Sequence, residues 1–171
     1  MNYTLVEGML PARLLTGIGI YMQTAAHLEL AIWQIVNLVN GIDDTSSKAF
    51  TDSLETKRKT DKLVRELRAC ASQCRLGLNL RVTNLANKIS SGLAHRNLAA
   101  HGAFFVEAGS GSLKVSHFIS QGSRPNKEWF STVESLSLEA IDEAVEEIDL
   151  LLREAVSIRE SLRGKGRALP T

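Results

Sequence analysis

Residues 95–102 read His-Arg-Asn-Leu-Ala-Ala-His-Gly. Arg96, Asn97 and His101 set a permanent cation, an amide and a titratable imidazole within one and a half helical turns. These side chains suit a phosphate: the guanidinium grips an anion through its planar fork of donors, the imidazole moves protons near neutral pH, and the amide orients. Spacing alone is a weak signal in a chain with 12 Arg and 4 His. Context raises it, because a polar residue directly follows the Arg, a helical pattern runs into the motif, and Gly102 directly follows the His.

The elements that must carry these groups can be read from periodicity. Ile18, Met22, Ala25, Ile32, Val36 and Val39 recur at three and four residues, predicting a helix from about Pro11 to Asn40 that exits at Gly41. Gln23, His27, Gln34 and Asn37 form its wet stripe. Glu29 breaks the pattern by lying on the apolar side, where a carboxylate needs a partner. A second helix is expected over about Thr51 to Gln73, with Thr56, Thr60, Leu63, Leu67, Cys70 and Cys74 in register and the basic run Lys57-Arg58-Lys59 on its early turns. Cys70 and Cys74 face one side and read as core filling.

The third helix spans about Asn79 to His101. Val82, Leu85, Ile89, Leu93, Arg96 and Ala100 hold one register, so Arg96 falls where an apolar side chain is expected. Arg96 and His101 are about 140° apart around the axis. A shared site therefore needs the long reach of Arg96 or a second copy of the helix. His95 points about 100° away from Arg96 and is expected to face solvent. His27 and His117 receive no role. Alternation over Ala103 to Glu107 and Leu113 to Ile119 predicts a β-hairpin, and Gln121 to Asn126 reads as loop. Ser137 then reads as the N-cap of a last helix, about Leu138 to Leu162, with Ile141, Val145, Ile148, Leu152 and Ala155 toward the core. The expected class is mostly all-α: four helices with a short β-hairpin inserted between the third and fourth, as one domain over residues 1–163, with a frayed tail over 164–171.

A chain of 171 residues, 44% hydrophobic and 23% charged, buries a core without staples. No apolar run reaches the roughly 18–20 residues of a membrane span, and the first fifteen residues lack a basic start followed by an apolar block. No membrane partner is expected, and cytoplasm is the default compartment. The net charge of +1 hides a segregation: residues 48–96 carry 11 basic and 4 acidic groups, residues 128–154 carry 1 basic and 9 acidic. This favours an anionic partner on one surface, or two segments that pack together and cancel. Neither Glu-x-x-His nor a phosphate-cradling Gly-x-x-x-x-Gly-Lys-Ser/Thr motif occurs, so no metal or cofactor is expected.

Four long helices with Arg96, Asn97 and His101 late in the third, followed by a small insertion, resemble the HEPN superfamily, whose hallmark is Arg-x4-6-His with a polar residue after the Arg. Ala100-His101-Gly102 followed by an aromatic pair is similar to HEPN-like proteins of prokaryotic toxin–antitoxin and defence loci. The layout covers most of the chain, the diagnostic motif six residues. The resemblance implies an up-and-down four-helix bundle that forms a homodimer, with the two motifs meeting across the interface, and in many relatives a metal-independent endoribonuclease acting on single-stranded RNA. Antitoxin proteins partner some relatives, and other relatives are inactive binding modules. RNA supplies its own nucleophile, the 2′-hydroxyl. In that chemistry His101 would protonate the leaving 5′-oxygen, a step worth about 10²–10⁴ in rate. Arg96 would stabilise charge on the phosphorane, worth ~3 kcal/mol. Asn97 would orient the phosphate, and Glu29 would pair with Arg96 and fix its rotamer. The rival expectation is a non-catalytic, dimerising helical protein that binds a partner.

Overall fold

The structure is a computed structural model that describes residues 5–42, 44–57, 59–121 and 128–164. Among these the chain is mostly helical and carries one small three-stranded antiparallel sheet. A short helix α1 (Leu5–Met9), unforeseen from the sequence, precedes α2 (Ala12–Val39). The Pro11 carbonyl accepts from the Leu15 N–H at 3.2 Å, so proline stands at the cap, where its missing N–H costs nothing. At the other end Gly41 takes φ of 64°, and the Ile42 N–H closes back on the Asn37 carbonyl at 2.9 Å. This is the left-handed helix exit that glycine makes without a Cβ penalty.

The expected second helix is two helices, α3 (Lys48–Lys57) and α4 (Thr60–Cys70), the latter followed by a 3₁₀ turn at Ala71–Gln73. The Lys59 N–H bonds the Thr56 carbonyl at 3.1 Å, an i→i−3 closure, and Lys59 itself is extended. Two β-branched residues, Thr56 and Thr60, flank this break, and tertiary bonds hold both sides of it. Trp33 Nε1 donates to the Ser53 carbonyl at 3.1 Å, and Thr60 Oγ1 donates to Glu29 Oε1 at 2.6 Å. Arg58, in the middle of the basic run, lies outside the described residues.

Helix α5 (Leu78–His101) matches the expected third helix, and α6 (Leu138–Arg163) the last. The Ala140 N–H donates to Ser137 Oγ at 3.0 Å, so Ser137 does cap α6. Between these helices the expected hairpin is a three-stranded meander: β1 (Ala103–Val106), β2 (Leu113–Gln121) and β3 (Glu128–Ser135). The third strand went unread because it is exposed along most of its length and carries serine and glutamate in place of a buried apolar face. The expected loop keeps only Gln121, as the end of β2; residues 122–126 of it, and residues 165–171 of the expected tail, lie outside the described residues.

The chain divides into two compact units, Met1–Gln23 with Ala94–Glu146, and Thr24–Leu93 with Glu147–Thr171. The first holds the start of α2, the end of α5, the sheet and the start of α6. Register places Phe104, Val115 and Glu134 side by side across its three strands, with Val115 fully buried. Arg13 pairs with Asp142. The second unit has the larger apolar core, in which Ile32, Ile35, Leu63, Leu67, Leu85 and Ile158 are almost wholly out of solvent. Burying each such side chain contributes about 1.5–3 kcal/mol relative to leaving it exposed.

Asn37, expected on the wet stripe, is 6% exposed. Its Nδ2 reaches Ser53 Oγ at 3.4 Å and its Oδ1 has no partner among the described residues. In the same unit Arg81 grips Glu154 through Nε–Oε1 at 2.8 Å and Nη2–Oε2 at 3.0 Å, and also donates to Ser157 Oγ at 2.8 Å. The basic and acidic segments therefore meet at this point.

Candidate functional site

Helix α5 runs unbroken to His101, its last residue. Arg96 is half-buried, Asn97 and His101 are exposed, and all three belong to the first unit. Because the helix is continuous, the five-residue step from Arg96 to His101 turns about 140° and rises about 7.5 Å. One helix presents the two groups on different sides and does not stack them. Arg96 stands in an apolar register, which accounts for its partial burial: the methylene stem can lie along the protein while the head reaches out.

What holds His101 in place is the residue after it. The Gly102 N–H bonds the Leu98 carbonyl at 2.8 Å, and β1 begins at Ala103. A Cβ on Gly102 would stand 2.5 Å from the Leu98 carbonyl oxygen and 2.6 Å from Val115 Cγ2. Only glycine lets helix become strand across a single residue here, and the backbone of His101 is thereby set at the junction.

Glu29, expected behind Arg96, belongs to the second unit, where it is half-buried and accepts the Thr60 hydroxyl. That hydrogen bond gives a carboxylate on the apolar side the partner it requires.

The first unit also contains a cavity of about 200 Å³. Its walls come from the stripe of α5 beside the motif, and the lining includes His95, Leu98 and Ala99 but not Arg96, Asn97 or His101. Ala140, Ile141 and Ala144 of α6 form another side, with Ile18 and Tyr21 of α2. The sheet contributes Phe104 and Glu134, the two ends of the cross-strand row centred on Val115. Small side chains at 99, 140 and 144 leave the space unfilled.

Sequence reasoning set His95 aside as a solvent-facing residue. It is exposed, yet it also lines the cavity with Leu98 and Ala99. The signal was present in the spacing, since positions 95, 98 and 99 share a helix face. Glu134 is 59% exposed, and its Oε1 lies 3.7 Å from His117 Nε2. Thr132 Oγ1 stands 3.3 and 3.2 Å from the two ring nitrogens of His117. His117, given no role from sequence, therefore braces the strand that presents Glu134.

The opposite face of the sheet bears Phe105, Phe118, Trp129 and Val133 with intervening serines, an alternation fixed by the strand register. Phe118 is 70% exposed and Trp129 62%. Among the described residues no three His, Cys, Asp or Glu side chains are grouped to hold a metal ion, and no helix is long and apolar enough to cross a membrane. Cys70 is buried and unpaired, and burial pushes its thiol up to about 12. It fills core as expected and is a poor nucleophile. Comparison with protein-family models, with curated proteins and with solved structures finds no match to this chain.

Proposed function

We propose that this chain is a metal-independent endoribonuclease of the HEPN-like toxin or defence kind, with a composite site formed when two copies bring their Arg96, Asn97 and His101 together. The observation that carries this reading is the placing of the three groups on the last two turns of α5, with Asn97 and His101 exposed and Arg96 turned about 140° from His101. One copy offers the parts without a closed constellation, and a second copy completes it. In the up-and-down four-helix arrangement of such proteins, α2, the α3–α4 pair, α5 and α6 would be the four members. Cytoplasm is the compartment this reading implies, and an antitoxin protein is a partner of the toxin kind.

The mechanism follows from the side chains. Arg96 holds the scissile phosphate and stabilises the charge that grows on its non-bridging oxygens. The 2′-hydroxyl attacks phosphorus and loses its proton to a neutral imidazole. The P–O5′ bond breaks as a protonated imidazole gives its proton to the leaving oxygen, and the second copy's His101 supplies the other member of this acid–base pair. Asn97 orients the phosphate through its amide. The products are a cyclic phosphate and a free 5′-hydroxyl, so no water is consumed in this step.

The test is incubation of the purified protein with single-stranded RNA in excess chelator. Cleavage is expected to persist, and to fall by about 10²–10⁴ in His101→Ala and by about 10²–10³ in Arg96→Ala, with circular dichroism unchanged. Cleavage that is absent from the wild type, or retained in both variants, overturns the proposal. Sedimentation showing a single-chain particle at micromolar concentration removes the shared site. Unchanged activity and stability in Glu29→Gln removes the supporting role of that carboxylate.

The exposed Phe118, Trp129 and Val133 favour a second reading, a binding module that acts without chemistry. Under it Phe118→Ser with Val133→Ser abolishes association with the partner, and the Arg96 and His101 variants leave association intact.

A further inference from the structure

The cavity beside the motif has a chemistry of its own. Its size suits a ring system more than a drug-sized molecule, for which pockets of about 300–1,000 Å³ are usual. The lining is mostly aliphatic, with Leu98, Ile141 and alanines on the helices and the Phe104 ring on the sheet. Three lining residues bring polar groups to this surface, the carboxylate of Glu134, the imidazole of His95 and the phenolic hydroxyl of Tyr21. His95 directly precedes Arg96 in the chain, so the cavity and the proposed phosphate site share one turn of α5.

Resting on the ribonuclease reading, we infer that this cavity receives the base of the RNA next to the cut, and that the base it selects is guanine. A largely apolar pocket accepts the faces of an unstacked base, and base-reading enzymes use apolar and aromatic walls in this way. The edge is read by Glu134. An ionised carboxylate is acceptor-only, with two oxygens side by side. It is satisfied by a planar group that offers two adjacent N–H donors. Guanine alone among the four bases has that pair on its Watson–Crick edge, N1–H beside the 2-amino group. Adenine and cytosine each put an acceptor next to their amino group, and uracil flanks its single N–H with two carbonyls. His95, the exposed imidazole of the lining, is the ring N–H donor nearest in kind to the acceptors of the same purine. A guanidinium from a partner peptide also presents two parallel donors. The aliphatic lining disfavours it, because a cation loses hydration there and gains only one carboxylate in return.

The experiment uses the full chain and free nucleotides, so its readout does not depend on cleavage. Guanosine, inosine, adenosine and uridine 5′-monophosphates, and methylguanidinium, are each titrated by calorimetry. Guanosine monophosphate is expected to bind at least about tenfold more tightly than the adenosine and uridine nucleotides, as sites that read donors reject bases lacking them. Inosine monophosphate, which keeps N1–H but lacks the 2-amino group, is expected between them. Glu134→Gln, which replaces one acceptor oxygen by a donor, should erase the guanine preference without altering the melting temperature. Ala144→Leu, which fills the slot, should abolish binding of every nucleotide.

Equal binding of all four nucleotides, binding of none, a preference that survives Glu134→Gln, or methylguanidinium outcompeting guanosine monophosphate overturns the inference. Guanine-selective binding by a protein that leaves RNA uncut sustains the pocket and defeats the cleavage mechanism. Cleavage without base preference and without nucleotide binding does the reverse.

Discussion

Asn37 shows how one atom can carry a measurable cost. Its neighbour Ser53 spends its hydroxyl proton on the Phe50 carbonyl at 2.7 Å, so the asparagine must present its amino group to Ser53, leaving its buried Oδ1 without a partner among the described residues. A buried acceptor without a donor costs about 1–3 kcal/mol. Asn37→Leu is therefore expected to be neutral or stabilising by up to ~1 kcal/mol in urea unfolding, and a loss of more than that shows the amide to be better satisfied than its geometry indicates. Cys70 gives a second prediction at this scale. With its thiol pushed up to about 12, and Cys74 raised more modestly by burial, a thiol reagent at pH 8 should label the native protein slowly and reach Cys74 before Cys70. Unfolding should expose both at once. The types and positions of the motif residues were legible in the sequence, because type and helical phase are local properties. Asn37 was misjudged, and the cavity that the exposed His95 lines was not foreseen, because whether a polar side chain meets solvent, a cavity wall or core depends on elements distant in the chain.

Helices with strong punctuation were legible almost to the residue. Pro11 and Gly41 bracket α2, and Ser137 starts α6 through a hydrogen bond that its position foretold. Ser137→Ala should lower stability by about 1 kcal/mol, the usual worth of such a cap. A chemical-denaturation midpoint that does not move would show that the hydrogen bond forms without contributing. The break at Lys59 was hidden because the apolar spacing of Leu63, Leu67 and Cys70 continues the phase set by Thr56, so periodicity saw one helix where backbone bonding makes two. Strand β3 was hidden for the opposite reason, having no buried face to announce it. Gly102 is where helix and sheet meet. Gly102→Ala should destabilise by more than the few tenths of a kcal/mol typical of exposed positions, since its Cβ would strike a backbone carbonyl that cannot turn aside. The check is a thermal melt of the variant beside the wild type.

At the scale of the molecule, the opposed charge of the two segments is in part cancelled. The Arg81 guanidinium, hydrogen-bonded to Glu154, holds that carboxyl below its ordinary range. A carboxyl with a depressed folded value contributes stability that is present above its unfolded pKa, about 4.3, and is lost as pH falls through the folded value. Both side chains are more than a third exposed, so screening keeps the contribution modest. Wild type should exceed Glu154→Gln in unfolding midpoint at pH 7, and the gap should narrow as pH falls below the unfolded value of about 4.3. A gap that stays constant across this range would mean that Gln keeps or loses the same contacts without involving charge. Along α4, Arg65 lies 3.9 Å from Asp61, and Arg68 is held by Asn87 and Ser90 at 3.1 Å each.

Neither compact unit is a continuous stretch of chain: α2, α5 and α6 each give residues to both, and the divisions fall inside those helices at 23/24, 93/94 and 146/147. No stop codon or loop excision can release one unit from the other. A gene recombined at its loops therefore inherits the turns of α5 that bear Arg96 and His101 only along with the apolar half of the same helix. The two halves are bound to be transmitted, and to be lost, as one heritable piece.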